Sequence, residues 1–328
     1  MFKLQPVILC GGSGQRLWPV STFEMPKQFI TIPGRGTLLE QTLERIKTIK
    51  HEKYEICESI LIMNRSHKLP TELSHIVSES NIIYENFSND TGVAVARASL
   101  NIKNRYPNQE TIMLVLPSDH YIYNIENFIS DIISGIDQVT DTNIVLYGLQ
   151  PTRPDTGYGY ITPNIEGVKF NEKPNSETAN ILIAEGALWN SGLFVAKVDL
   201  VIECLNKYKY NIMDWVYNER EGKPPSFDIA VLQEHKDIYA HSCSGWRWSD
   251  VGCWTPFIEI PEIKDELGNN TKIIDSQNVN VLNRNDSNIV VLGCDNLLVV
   301  TSGSNILIMP NTDKYNNQLK SIASIFSN

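Results

Sequence analysis

Apolar runs of strand length alternate with longer, more polar stretches of helical length through the first half of the chain. The runs fall at residues 7–10, 59–63, 81–84, 111–116 and 143–149. Between them, residues 37–49 set Leu38, Leu39, Thr42, Leu43 and Ile46 on one face at helical spacing, and residues 92–106 form a second helix candidate rich in Ala and Val. This alternation predicts βαβ units, and so a mostly parallel sheet with helices on both faces. Ligands of such sheets bind beyond the carboxyl ends of the strands. The residues that follow the strands directly therefore matter most. They are Gly11-Gly12-Ser13-Gly14 after the first run and Pro117-Ser118-Asp119-His120 after the fourth.

The texture changes near Pro261. From Asn269 onward the chain consists of short β-rich runs (residues 278–282, 288–292, 296–301 and 305–309) punctuated by Asn, Asp and Gly. This predicts a small β domain or a short solenoid-like sheet, with no strict repeat period to favour the solenoid. The expected division is a large α/β domain over residues 1–262 and a small β-rich domain over residues 263–328.

Composition narrows the function classes. With 42% hydrophobic and 20% charged residues among 328, the chain can build a packed core. A formal net charge of -10 argues against a nucleic-acid partner held by general charge. It leaves room for one nucleotide, for which a few local cations and a metal suffice. No run approaches the ~20 apolar residues of a membrane helix, and the opening residues lack a signal-peptide pattern. No membrane partner and a cytoplasmic location are expected. The six cysteines form no CxxC pair, so reduced thiols are expected rather than a structural zinc site or a disulfide framework.

Residues 7–29 read VILCGGSGQRLWPVSTFEMPKQF. A buried strand delivers the chain into a loop with three glycines in four positions. Glycine lets backbone N–H groups approach an anion closely, and successive N–H groups form a nest for phosphate oxygens. Arg16 and Lys27 add cations. A Walker A loop is excluded because no Gly-Lys-Ser/Thr closes the segment. The dinucleotide fingerprint fails because Leu17 stands where its third glycine belongs. A tight turn with no ligand is the competing reading of the glycines alone.

This segment resembles the signature of the sugar nucleotidyltransferases, GGxGxRLxP followed by PK. Trp18 and the Gln28-Phe29 pair resemble the mannose-1-phosphate guanylyltransferase branch. The resemblance implies that Gly11, Gly12, Gly14 and Arg16 wrap a triphosphate and that Lys27 contacts phosphate.

An acid after an apolar strand points into the sheet crevice, where Mg²⁺ takes one or two carboxylates plus substrate phosphates. Asp119 is such an acid; a helix N-cap is its alternative role. A second acid, Asp250, lies in Gly245-Trp246-Arg247-Trp248-Ser249-Asp250-Val251-Gly252-Cys253-Trp254, where plain aromatic packing is the alternative for the tryptophans. LPSDH and WSDVGxW resemble family motifs whose aspartates hold Mg²⁺, and Ser118 of the first is carried over as a nucleotide contact. Arg16, Lys27 and Asp119 are thus the catalytic candidates, and Asp119 and Asp250 the metal ligands. His120 is rejected as a general base. The nucleophile, a phosphate oxygen, is already anionic, and the difficulty is charge stabilisation.

Three further segments, TGYGYI, FNEKP and WNSGLF, resemble family motifs in the family order. Gly159, Glu172, Lys173 and Asn190 within them are the candidates for sugar-phosphate binding, with Lys173 a point charge for the phosphate. An ordinary surface ion pair is the alternative for Glu172 and Lys173. Pro225-Ser226-Phe227-Asp228-Ile229-Ala230-Val231 resembles a branch segment too, with Ser226 and Asp228 read as structural and a supporting role as the alternative. Glu85 can accept from guanine N1–H and its exocyclic amine, where adenine would leave it unpaired; a solvated surface acid is the other reading. Asp90 and Gly92-Val93 depart from the guanylyltransferase pattern at the helix entry.

The whole resemblance spans roughly residues 5–260. It implies a Rossmann-like α/β nucleotidyltransferase acting on GTP and mannose 1-phosphate, with Mg²⁺ as cofactor and a homodimeric assembly. The rivals are the same chemistry on another sugar phosphate or nucleotide, and a silent relative that binds GDP-mannose. A cupin-type isomerase domain, which longer relatives carry, is not expected within this length.

Overall fold

The strand β1 (Phe2–Cys10) divides the core, because alternate side chains of a strand face opposite sides of its sheet. Leu4, Ile8 and Cys10 enter one apolar layer and Val7 the other. The computed structural model describes residues 2–326 apart from 13, 68, 74–75, 87–89, 165–166, 209 and 219–221. The central sheet has ten strands. After β1 come β2 (Tyr54–Ile56), β3 (Ile60–Asn64), β4 (Ile82–Glu85), β5 (Thr111–Pro117), β6 (Ile144–Leu149), β7 (Tyr160–Asn164), β8 (Gly167–Asn171), β9 (Leu188–Lys197) and β10 (Ile238–Ser242). Their order is β8-β7-β9-β5-β1-β3-β4, with β2 on β1, β6 on β9 and β10 on β6.

The centre is parallel, as the alternation predicts: β1 pairs in parallel with β5 and β3, and β3 with β4. The other half is antiparallel where β9 meets β5 and where β7 and β8 form a hairpin. A hairpin needs only a short turn, whereas parallel neighbours need a crossover. Helices supply the crossovers. α1 (Leu38–Lys47) starts at a capping box: Thr37 accepts from the Glu40 N–H, and Glu40 accepts from the Thr37 N–H. α2 (Thr91–Arg105) is capped by Asp90, and α3 (Ile125–Ile136) and α4 (Val198–Lys207) complete the layers. α1 and α3 cover the face that carries Leu4 and Ile8, while α2 and α4 cover the face that carries Val7, Ile60 and Ile62. Among the described residues no helix is long and apolar enough to cross a membrane.

The C-terminal strands are β11 (Thr271–Ile274), β12 (Asn280–Asn283), β13 (Ile289–Leu292), β14 (Leu297–Ser302) and β15 (Asn305–Pro310). Here the sequence reading needs a correction, because a period exists. Thr271 pairs with Ile289 and Asn280 with Leu298, both in parallel and both 18 residues apart by subtraction. Hydrogen bonds Gln277–Asp295 and Asn278–Asn296 repeat the same separation of 18. The region is a short parallel coil closed by antiparallel β15. Its repeat is one of conformation: positive φ recurs at Gly268 and Asp286, Asp275 and Gly293, Asn278 and Asn296. Gly, Asn and Asp all reach that region, so the repeat does not show as residue identity.

The coil does not stand alone. Leu282, Leu298 and Val300 share one apolar cluster with Leu17, Trp18 and Leu38, and with Leu319 and Ala323 of the last helix, α5 (Asn316–Ile325). The rings of Trp18 and Phe326 stack at 5.4 Å. The chain just after the glycine loop is thereby seated on the C-terminal coil.

Candidate active site

β1 ends at Cys10 and releases the chain into the glycine loop. Gly14 has φ +59, and a Cβ there would fall 2.2 Å from Lys27 Cβ, so only glycine fits. Gly11 has nothing within 4 Å of such a Cβ, and Gly12 only Asp119 Oδ2 at 3.9 Å. Those two glycines keep a face open beside the acid. Ser13 lies outside the described residues. Gln28 Nε2 donates to the Cys10 carbonyl at 3.1 Å and ties the lysine segment under the loop.

Lys27 is the joint of the site. It is only 7% exposed. Its Nζ lies 2.9 Å from Asp119 Oδ2 and donates to the backbone carbonyl of Asp250. Asp119 through its carboxylate and Asp250 through its main-chain carbonyl thus meet at one buried ammonium, whose side-chain stem packs against Gly14. Arg16 is exposed on the short turn Gln15–Leu17, which the buried Leu17 anchors.

Asp119 is not a helix cap: it stands in the turn between β5 and the short strand Tyr121–Ile122, and α3 starts after Asn124. Burial pushes its carboxyl up, but Lys27 and His120 outweigh this and hold it below the ordinary value. Tyr121–Ile122 pairs with Trp248–Ser249, which carries Asp250 to the same place. Asp250 Oδ1 accepts from Tyr158 Oη at 2.8 Å and from the Gly252 N–H at 3.2 Å.

His120 Nδ1 accepts from Trp248 Nε1 at 3.0 Å. Burial lowers its pKa to about 4, so the ring is neutral at pH 7 and braces the aspartate turn. Packing accounts for two of the three tryptophans: Trp254 sits in the C-terminal apolar cluster, and Trp246 donates to Asp131 Oδ2 at 2.7 Å. Asp131, His241 and Cys243 lie within 4.8 Å of one another. Asp131 also accepts from the Ser244 N–H at 2.9 Å and faces His241 Nε2 at 3.2 Å. That cluster is a hydrogen-bonded staple holding the segment before Asp250.

A cavity of about 460 Å³ opens between the glycine loop and α2, lined by Gly11, Gly12, Glu85, Thr91, Asp119 and Lys223 among others. Glu85, at the end of β4, is 3% exposed and 3.9 Å from Arg97 Nε. It is therefore not the solvated surface acid of the alternative reading. Ser118 is 2% exposed, and its side chain meets the Cys10 thiol. It supports the loop from below and is not among the residues lining the cavity.

Next to this cavity lies a smaller one of about 100 Å³, which shares Leu9, Thr91 and Pro117 and adds Asn190 and Asp228. The Asn190 N–H donates to the Gly159 carbonyl at 2.8 Å. A Cβ on Gly159 would lie 3.1 Å from Glu172 Oε2 and 2.6 Å from the Phe170 ring, so glycine lets that carboxylate close in. Gly159, Glu172 and Asn190 thus come together. Lys173 forms an ion pair with Glu172 and is largely exposed, so the surface-pair element of the alternative reading describes its resting state.

Comparison with known proteins gives this arrangement a family. The nucleotidyl transferase family matches residues 5–266. The chain belongs to that family. Among its relatives, the mannose-1-phosphate guanylyltransferase of Escherichia coli is 31% identical, over 93% of this chain and 72% of that protein. The alginate biosynthesis protein AlgA of Pseudomonas putida is 32% identical, over 92% of this chain and 68% of that protein. A Thermus thermophilus structure, described as a mannose-1-phosphate geranyltransferase, aligns over 100% of both chains with a TM-score of 0.79 at 22% identity. The last likeness speaks for the fold. As a family member the chain is a nucleotidyltransferase, a sugar-phosphate enzyme by its relatives.

Three residues of this nucleotidyltransferase's site escaped the sequence reading. Tyr158, which orients Asp250, lies inside TGYGYI, but periodicity gives a lone tyrosine no special weight. Lys223 lines the cavity beside the glycine loop from a loop with no motif. Asp228 was read as structural, with no more than a supporting role, yet it lines the smaller cavity.

Proposed function

We propose that the chain transfers GMP from GTP to α-D-mannose 1-phosphate, giving GDP-mannose and diphosphate in a single in-line displacement. The observation that supports this most is that Lys27 joins the three parts: its stem packs against Gly14, and its Nζ meets the Asp119 carboxylate and the Asp250 main-chain carbonyl. The names of the relatives and the buried carboxylate of Glu85 at the nucleotide cavity support guanine as the base.

The donor set suits Mg²⁺. It consists of carboxylate oxygens: Asp119 held by Lys27 Nζ, and Asp250 aimed by Tyr158 and the Gly252 N–H. Asp119 and Asp250 would hold the ion, which when bound screens the triphosphate and the leaving diphosphate. The chain's own groups do the rest. N–H groups of Gly11 and Gly12 cradle the phosphates. Lys27 turns from the acids to the phosphoryl oxygens, and Arg16 reaches them from the rim. Tyr158 and Gly252 keep Asp250 aimed. Gly159, Glu172 and Asn190 hold the hexose, and Lys173 leaves Glu172 for the sugar's phosphate. No residue need remove a proton, in keeping with a neutral His120.

The same reading includes a cytoplasmic setting, supported by six free cysteines. It also includes a homodimer, supported by Val290, Leu292, Ile306 and Ile308 on the coil, each more than 60% exposed. Light scattering tests the dimer. Diphosphate release with GTP, ATP, UTP and dTTP against mannose, glucose and other hexose 1-phosphates, with and without Mg²⁺, tests the reaction. Turnover is expected with GTP and mannose 1-phosphate and only with the metal. A different preferred pair would replace the substrates, and no turnover with any pair would favour the silent relative.

A further inference from the structure

The sugar side of the site carries a second carboxylate. Asp228 opens the short helical segment Asp228–Leu232. Two anchors fix its position: the Phe227 ring stacks on Phe194 of β9 at 4.5 Å, and the Phe227 N–H donates to Thr91 Oγ1 at 2.9 Å. Asp228 Oδ1 accepts one amide N–H of Asn190 at 3.0 Å, while the Asn190 side-chain carbonyl accepts the Gly192 N–H at 3.2 Å. A primary amide has two N–H donors. The amide is thus held at both ends, with its second N–H left for a ligand.

The charged groups around Asp228 are Glu172, Lys173 and Asp90. Lys173 is engaged by Glu172, so carboxylates outnumber free cations around Asp228. Burial and the nearby Glu172 push the Asp228 carboxyl up to about 6. An excess of carboxylates is costly where no donor meets it. It suits a ligand that brings several O–H donors at once, as a hexose does.

We infer that Asp228 is a sugar-binding residue: with Glu172 it accepts hydroxyl protons of the hexose, while Asn190 donates to a ring oxygen or hydroxyl. The inference rests on the sugar 1-phosphate reading above. It extends that reading by assigning hydroxyl recognition to a segment otherwise read as structural.

Asp228→Asn is the discriminating variant, because it keeps the volume and an acceptor for the Asn190 amide. A role confined to holding Asn190 therefore survives the change. The measurement is kcat and KM for the hexose 1-phosphate the wild type prefers, at saturating nucleotide, at pH 7.5 and pH 5. At pH 7.5 the hexose phosphate KM is expected to rise about 10- to 100-fold, the scale of a lost hydrogen bond to a charged group. The nucleotide KM should stay within about twofold, and the thermal midpoint should not fall, since a repulsive charge has been removed.

At pH 5 only about a tenth of wild-type Asp228 remains ionised. The variant-to-wild-type ratio of KM should then shrink by up to about tenfold. The substrate's own second phosphate ionisation near pH 6 is common to both proteins and cancels in the ratio. An unchanged KM, or a ratio that is the same at both pH values, overturns the inference. Asp228→Ser carries the same test if the Asn variant does not fold. A wild-type protein that uses no hexose 1-phosphate overturns the proposed function itself, and a wild type that does, with an unaffected variant, overturns this inference alone.

Discussion

Lys27→Met removes the ammonium and keeps the side-chain stem that packs against Gly14. In the wild type that ammonium sits 2.9 Å from Asp119, with side-chain exposures of 9% and 22% for the two partners. Removing one member of a well-buried ion pair costs about 3–5 kcal/mol, because the other charge is left uncompensated. Asp119 keeps some access to water, so a loss of about 2–4 kcal/mol is expected at pH 8. At roughly 0.7 kcal/mol per degree for a chain of this length, that lowers the thermal midpoint by about 3–6 °C.

The pH dependence tests the cause. In the wild type the depressed Asp119 carboxyl contributes stability above its ordinary pKa of 3.8, and that contribution is lost as pH falls through the still lower folded value. In the variant, burial is no longer outweighed, so the carboxyl rises above its ordinary value and protonates in mild acid. The gap between the two proteins should therefore narrow steadily from pH 8 to pH 5. Urea unfolding of both proteins, without divalent metal, measures it. On an Asp119→Asn background the same Lys27 substitution should cost less than about 1 kcal/mol, which makes the two sites strongly coupled. A stability gap that is flat with pH, or additive effects in the double variant, would refute the claim that Lys27 neutralises the acid. Full activity of Lys27→Met would refute its catalytic role.

Other substitutions probe the remaining parts. Gly14→Ala meets both a positive φ and the Lys27 side chain, so a loss of about 2 kcal/mol or more and near-complete loss of turnover are expected by calorimetry and diphosphate assay. Glu85→Gln should lower kcat/KM for GTP by about 10- to 100-fold while leaving poor ATP use little changed; equal losses for both would sink the base-recognition role. Tyr158→Phe removes one bond to Asp250. It should raise the Mg²⁺ concentration for half-maximal rate by about 10-fold, the scale for a residue orienting a metal ligand, and an unchanged metal titration would place Tyr158 outside the site.

What the sequence shows and hides follows from where the physical constraint lies. α1 and α2 are legible because a buried helix face imposes a spacing on apolar residues, and Thr37 and Asp90 mark their starts. The glycine loop, Lys27, Asp119 and Asp250 are legible because close backbone approach and charge leave few residue types to choose from. Ser118 and Asp119 read alike in the sequence but part in the fold: Asp119 lines the cavity while the Ser118 side chain turns to Cys10. Lys223 and Asp228 reach their cavities through loops and tertiary contacts that no local pattern encodes.

The C-terminal coil shows a deeper form of the same limit. Its 18-residue period is carried by backbone turns at Gly268/Asp286, Asp275/Gly293 and Asn278/Asn296, and three residue types meet that demand interchangeably. The inward positions need only be apolar, so Leu282, Leu298 and Val300 satisfy them without repeating. The functional consequence is invisible for the same reason. That apolar side is the seat for Leu17 and Trp18, the residues that follow Arg16. Loop N–H groups that must meet a triphosphate without reorganising need a fixed base, and here the base is built about 300 residues later in the chain, by Leu319 and Ala323 of the final helix. A chain cut before α5 should accordingly keep the central sheet and its α1–α4 layers, yet bind nucleotide weakly. The circular dichroism of the sheet and helices would persist while the nucleotide KM rises. Unaltered nucleotide affinity in the shortened chain would show that the loop holds its shape without the coil.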